Sequence, residues 1–209
     1  MRYRHFFWDF DGTLYDTYGR ITRATVNALH ALGAAADFDA VYAAAKRSLH
    51  ASYLAFAAPL GIAREDFLAQ YHAFSGQEGP ESIRPYPGAV EALQRVAEGG
   101  GSNYLYTHRG DSALQWIRYD GIERLFADRV TALDGFPSKP APDALNHLIG
   151  KHGLDRADCV MIGDRDIDLD AGKNAGMACA LFDPDNFYPD YEAAWRFRDM
   201  EELASALCG

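Results

Sequence analysis

Apolar residues follow two different periods along this chain, and the change between them divides it. Residues 4 to 9, RHFFWD, form a short dense apolar run that ends on an aspartate, with Gly12 soon after, the pattern of a buried strand. From about Asp16 to Arg84 the spacing turns helical. RITRATVNALHALG, FDAVYAAAKRSLHASYLAFAAPLG and REDFLAQYHAF repeat apolar positions at helical intervals, are rich in alanine and hold no strand candidate. An all-helical insert is predicted there, closed by SIRPYPGA, where Pro85, Pro87 and Gly88 break any regular element.

Beyond the insert, helix and strand patterns alternate. A helix over about 88–97 leads through the GGGS at 99–102 into the strand NYLYT, and one around 112–119 leads to RVTAL. A helix near 141–150 leads to CVMIG, and one near 168–175, capped by Gly176, leads to MACALF. Such alternation predicts an α/β fold with a parallel sheet covered by helices on both faces. The domain reading is a core of 1–15 and 86–209, interrupted by a small helical domain over 16–85. Ligands of such sheets bind beyond the carboxyl ends of the strands, so those ends are where chemistry is expected.

Composition narrows the function classes. A chain of 209 residues with 48% hydrophobic and 13% aromatic content can bury a sizeable core. A net charge of −10 and a pI near 5.0 argue against binding to a nucleic-acid backbone, which needs clustered Lys and Arg. The basic N-terminus meets only three apolar residues before Asp9, without a cleavage site, and no stretch nears the ~20 apolar residues of a membrane span. A soluble, cytoplasmic protein with no membrane partner is expected. Cys159, Cys179 and Cys208 lack metal-ligand spacing and read as free thiols.

Acids cluster at two of the predicted strand ends. Asp9 and Asp11 follow Phe6, Phe7 and Trp8, and carboxylates so close raise each other's pKa unless a cation joins them. An Asp-Gly turn explains Asp11-Gly12 but not Asp9 behind three aromatics. In GDRDIDLDAGKNAG acids stand at 164, 166, 168 and 170; a helix starting there puts Asp164 and Asp168 on one face, where like charges destabilise. A hard dication such as Mg²⁺ would resolve both groups, while Asp166 and Asp170 are explained by a helix N-terminus. Thr107, ending NYLYT before His108, Arg109 and Gly110, offers a hydroxyl and backbone N–H groups to a phosphate, though Thr is also a common helix cap. Lys139 sits in FPSKPAPDAL, its backbone fixed by prolines on both sides.

Taken in order, DFDGT, YT, SKP and GDRDID resemble the motifs of the haloacid dehalogenase superfamily, in its phosphatase branch close to the phosphoglycolate phosphatases, from Asp9 to Gly176. The resemblance implies a Rossmann-like core with Asp9 as nucleophile and Asp11 as general acid and base. Mg²⁺ would take oxygens from Asp9, the Asp11 carbonyl and Asp164, with Asp168 ligating or supporting through water. Thr107 and Lys139 would hold the transferring phosphoryl group, and the insert would be a helical cap that selects a small phosphorylated metabolite. His108, Arg109 and Arg165 depart from the common pattern and are candidates either for contact with an anionic substrate or for pairing with the nearby aspartates. Two alternatives stay open: a phosphomutase of the same superfamily, and a receiver-type signalling module. A cap-lysine Schiff base would need Lys46, which reads as part of a solvated helix face.

Overall fold

The computed structural model describes residues 1–208 and divides into two compact units, Met1–Tyr15 with the chain from Arg84 on, and Asp16–Ile83. The first unit opens with strand β1 (His5–Trp8), whose three aromatic residues are wholly buried. After it the chain turns sharply: Gly12, at φ +79°, donates to the Tyr15 carbonyl at 2.8 Å, and Tyr15 donates back to Phe10. That left-handed backbone favours glycine, which accounts for the Asp-Gly sequence. The Tyr86 N–H then bonds the Leu14 carbonyl at 2.9 Å, so the chain re-enters the first unit beside the point where it left.

The intervening unit is helical: α1 (Tyr18–Ala31), α2 (Phe38–Arg47), a single turn α3 (Leu49–Ser52) continued by irregular helical turns to Leu60, and α4 (Arg64–Ser75). Asp37 and Ser48 cap α2 and α3 by accepting from backbone N–H groups three residues on. Leu29, Ala34, Val41, Ala57 and Phe67 form its core. Arg20 is buried against Glu78, Nε to Oε2 3.2 Å, and donates to the Ser75 and Glu78 carbonyls. Lys46 corrects the sequence reading. It is only 1% exposed, its ammonium 5.1 Å from the centre of the Tyr18 ring, because the flanking helix brings an aromatic face over it.

The first unit resumes with α5 (Ala89–Glu98), β2 (Ser102–Tyr106), α6 (Asp111–Tyr119), β3 (Phe126–Val130), α7 (Asp143–His152), β4 (Cys159–Gly163), α8 (Asp166–Asn174), β5 (Ala178–Phe182), β6 (Trp195–Phe197) and α9 (Met200–Cys208). The six strands pair in parallel in the order β3-β2-β1-β4-β5-β6, the Rossmann-like α/β fold. Phe7, Tyr104, Tyr106, Met161, Cys179 and Leu181 pack on one face against Leu145, Leu148 and Ile149 of α7 and Leu169 of α8. Phe6, Trp8, Leu105, Ile162 and Ala180, also buried, alternate with them and so point to the other face. Burial on both faces is why the strands read as continuous apolar runs. A buried Asn103 ties this layer together, accepting from Trp8 Nε1 at 2.9 Å and donating to the Leu93 and Leu125 carbonyls.

Two element boundaries differ from expectation. β3 ends at Val130 rather than running through RVTAL, because Asp134 accepts from both the N–H and the hydroxyl of Thr131 and turns the chain. The apolar pattern assigns no element past 182, yet β6 and α9 follow. Asp183, 1% exposed, holds the chain between them and β5: it accepts from the Phe187 and Tyr188 N–H groups and from Arg196 Nη1 at 2.8 Å. All three cysteines are free and buried, and no helix among the described residues is long and apolar enough to cross a membrane.

Candidate active site

β1 lies between β2 and β4, so the loops leaving these strands converge at the point where the strand order reverses, the usual ligand crevice of this architecture. Asp9 N–H bonds the Ile162 carbonyl at 2.9 Å, extending the ladder one residue past β1 and setting the Asp9 carboxylate next to the end of β4. Across β4, Gly163 makes room for the next turn. A Cβ there would lie 2.2 Å from the Asp168 Cβ, so only glycine lets the first turn of α8 fold back over the strand end. Asp164 and Asp168 therefore meet through this turn and not along one helix face, since α8 begins only at Asp166.

Asp9, Asp164 and Asp168, all buried, each offer a carboxylate oxygen, and these oxygens lie within 4.8 Å of one another. Lys139 sits among them, its side chain fully buried. Nζ reaches Asp9 Oδ1 at 2.5 Å, Asp168 Oδ1 at 2.8 Å and the Tyr106 carbonyl at 2.9 Å, and stands 4.4 Å over the Tyr106 ring. Burial pushes the Asp9 carboxyl up, with Asp168 adding and Lys139 opposing. Burial also pushes Asp168 up, but Lys139 and Arg165 outweigh it and hold Asp168 below its ordinary value, helped by the Arg165 N–H at 3.1 Å. Lys139 is held above its ordinary value because both carboxylates outweigh its own burial. A lysine so placed is a fixed cation.

A divalent cation fits this donor set. Asp9 Oδ2 is buried and accepts no hydrogen bond, the three carboxylates are hard oxygen ligands, and one ammonium leaves their charge under-neutralised. The carboxylate of Asp11 is not part of the cluster. It lies apart from Asp9, 22% exposed, and is gripped by Arg109: Nε is 3.1 and 3.0 Å from its two oxygens and Nη2 is 2.6 Å from Oδ1. Pairing with an aspartate, one of the two fates open to Arg109 in the sequence, is the one seen.

Thr107 is buried at the end of β2, and its Oγ1 accepts the Arg109 N–H at 3.0 Å. His108 faces the lysine loop: its Nε2 accepts the Lys139 N–H at 2.9 Å. Much of the residue is exposed, yet desolvation of the ring, with the charges of Lys139 and Arg165, brings its pKa down to about 4, so the neutral acceptor form prevails at pH 7. The Tyr106 carbonyl was not anticipated as a site group. A backbone oxygen carries no signature in sequence.

The family model for haloacid dehalogenase-like hydrolases matches residues 3–176. A phosphoglycolate phosphatase of Vibrio parahaemolyticus is 30% identical over 194 residues, 84% of this chain and 80% of that protein. A pyrophosphatase PpaX of Halalkalibacterium halodurans is 27% identical over 56% of this chain and 55% of its own. Among solved structures, a hydrolase from Streptococcus pneumoniae superposes with a TM-score of 0.66 at 34% identity, covering 87% of this chain and 94% of that one. A haloacid dehalogenase-like family protein of the same species gives a TM-score of 0.80 over 98% of both chains, at 17% identity, a likeness of fold.

Proposed function

The chain belongs to the haloacid dehalogenase-like hydrolases, and from that membership and its site we propose a Mg²⁺-dependent phosphatase that hydrolyses a small phosphorylated metabolite through an aspartyl phosphate. The observation that carries the reading is the buried Lys139 bridging Asp9 and Asp168 beside Asp164, at the convergence of three strand ends. Phosphoryl transfer asks a protein mainly for positioning and charge neutralisation, and this cluster supplies both.

In the proposed mechanism Thr107 and Lys139 hold the phosphoryl oxygens. An oxygen of Asp9 attacks phosphorus as the bond to the leaving oxygen breaks, and Asp11 gives that oxygen its proton. The Asp11 carboxylate then takes a proton from water, which attacks phosphorus, frees Asp9 and releases inorganic phosphate. Asp9, Asp164 and Asp168, with the Asp11 carbonyl, are the groups that would hold Mg²⁺, which when bound supplies Lewis-acid neutralisation of charge on phosphorus-bound oxygens. The helical segment 16–85 is proposed as the cap that selects the substrate.

The test is release of inorganic phosphate from a panel of phosphorylated metabolites, with Mg²⁺ or with EDTA, beside Asp9→Asn. The variant keeps the volume and removes the nucleophile, so turnover is expected to fall by at least about 10³ with the fold intact. Activity within about tenfold of wild type would sink the mechanism. Transfer of phosphate between two positions of a sugar, without net release, would point to a mutase.

A further inference from the structure

The lysine at the centre of the site is held by its backbone as well as by its ammonium. Lys139 lies outside every helix and strand, so its N–H has no ladder to join, and His108 Nε2 accepts it at 2.9 Å. One residue on, the Pro140 carbonyl accepts from Asn174 Nδ2 at 2.9 Å. These supports come from the two elements that the ammonium joins. His108 follows Thr107 beyond the end of β2, whose Tyr106 carbonyl receives Nζ, and Asn174 closes α8, which carries Asp168. The Tyr106 and His108 rings meet edge to face, their centres 6.3 Å apart and their planes at 88°. The acceptor at 108 has to be neutral: a carboxylate would add negative charge beside the acids, and an imidazolium has no lone pair to give. A lysine stem is flexible, so where its ammonium stands depends on where its backbone is fixed.

We propose that His108 is a positioning residue for Lys139: through the Lys139 N–H it sets where the ammonium stands relative to Asp9 and to a bound phosphoryl group, without touching substrate itself. The inference rests on the reading of Lys139 as a holder of that group. An imidazole that accepts at Nε2 carries its proton on Nδ1, and Nδ1 is the atom through which a direct contact with an anionic substrate would be made.

The experiment separates the two nitrogens. Gln at 108 brings an amide oxygen to the reach of Nε2, Asn only to that of Nδ1, and Phe keeps a ring without an acceptor. Phosphate release from the best substrate of the panel is measured for His108→Gln, His108→Asn and His108→Phe, with binding of vanadate in Mg²⁺ by calorimetry. His108→Gln is expected to stay within about threefold of wild type in both. Asn and Phe are expected to lose at least about thirtyfold in kcat and about tenfold in vanadate affinity. In a Lys139→Met background the Asn substitution is expected to change the residual rate by less than about threefold, because the group it positions is gone. Asn near wild type with Gln impaired marks a contact through Nδ1 and overturns the proposal. So does Phe at the wild-type rate, a loss of thermal stability with kcat and vanadate affinity unchanged, or a full effect of Asn without Lys139. If Asn does not fold, Gln and Phe decide. Each of these outcomes is read against an active wild type and leaves the phosphatase reading standing, whereas no phosphate release by wild type from any compound overturns that reading and this inference with it.

Discussion

Replacing Lys139 by Met removes the ammonium at the centre of the site while keeping the length of the side chain. Three carboxylates then face each other with only the Arg165 guanidinium, 3.9 Å from Asp168 Oδ2, beside them, and the Asp9 and Asp168 oxygens and the Tyr106 carbonyl lose the donor at 2.5, 2.8 and 2.9 Å. What the substitution removes is the attraction of the ammonium for Asp9 and Asp168, and removing one partner of a buried ion pair costs about 3 to 5 kcal/mol in general. Urea unfolding in EDTA is therefore expected to show the variant weaker than wild type by that amount. With three carboxylates against the Lys139 ammonium and the more distant Arg165 guanidinium, the wild-type cluster still carries uncompensated negative charge. Mg²⁺ is thus expected to stabilise both proteins, and the variant by at least about 1 kcal/mol more, since there the metal makes good the charge of the lost ammonium. Phosphatase activity is expected to fall at least about a hundredfold even at saturating Mg²⁺. A loss in EDTA below about 1 kcal/mol, or equal stabilisation of both proteins by Mg²⁺, would refute the electrostatic argument.

Three further outcomes follow from the site. His108 binds a proton less readily folded, at about 4, than unfolded, at its ordinary 6.5; its contribution is present above that ordinary value and is lost as pH falls through the window to about 4. Wild type is accordingly expected to lose stability relative to His108→Gln over that interval in paired thermal melts, and parallel curves would be against it. Gly163→Ala puts a Cβ 2.2 Å from the Asp168 Cβ, so it is expected to cost about 2 kcal/mol in urea and to weaken Mg²⁺ binding, measured by calorimetry, about tenfold or more; unchanged affinity would mean that Asp168 does not help to hold the metal. Removing Mg²⁺ is expected to weaken binding of a dianionic phosphate analogue such as vanadate as well as turnover, because the residual charge of the acids repels it; equal affinity in EDTA would show that Lys139 alone suffices.

What was legible in the sequence was the part that is physically expensive. An acid directly behind three aromatics cannot lie in a buried strand without compensation, so Asp9 announced itself, and the same holds for Asp164 behind CVMI. Helical and strand periods gave the order of elements as far as β5 because the inner strands of a doubly covered sheet are apolar throughout. The half-exposed edge strand FADRV lacks that signal, and the sequence reading shifted it toward RVTAL. The illegible part depends on residues far apart in the chain. The Arg109–Asp11 pair joins positions 98 residues apart, and nothing local distinguished it from an arginine facing substrate. Lys46 on an alanine-rich helix has the pattern of a solvated lysine, and its burial depends on Tyr18, which belongs to another helix. The Tyr106 carbonyl that receives Lys139 would be present whatever side chain stood there. The division has a cause: a buried charge selects residue types at its own position, whereas the groups that neutralise it are chosen by the fold, and a partner can come from any segment the fold brings near. Sequence therefore exposes the demand for compensation at Asp9 and Asp164 more readily than it identifies what meets it: Lys139 was expected to hold a phosphoryl group and is found bridging Asp9 and Asp168, while Arg109 and Arg165, left open between substrate and aspartate, pair with Asp11 and Asp168.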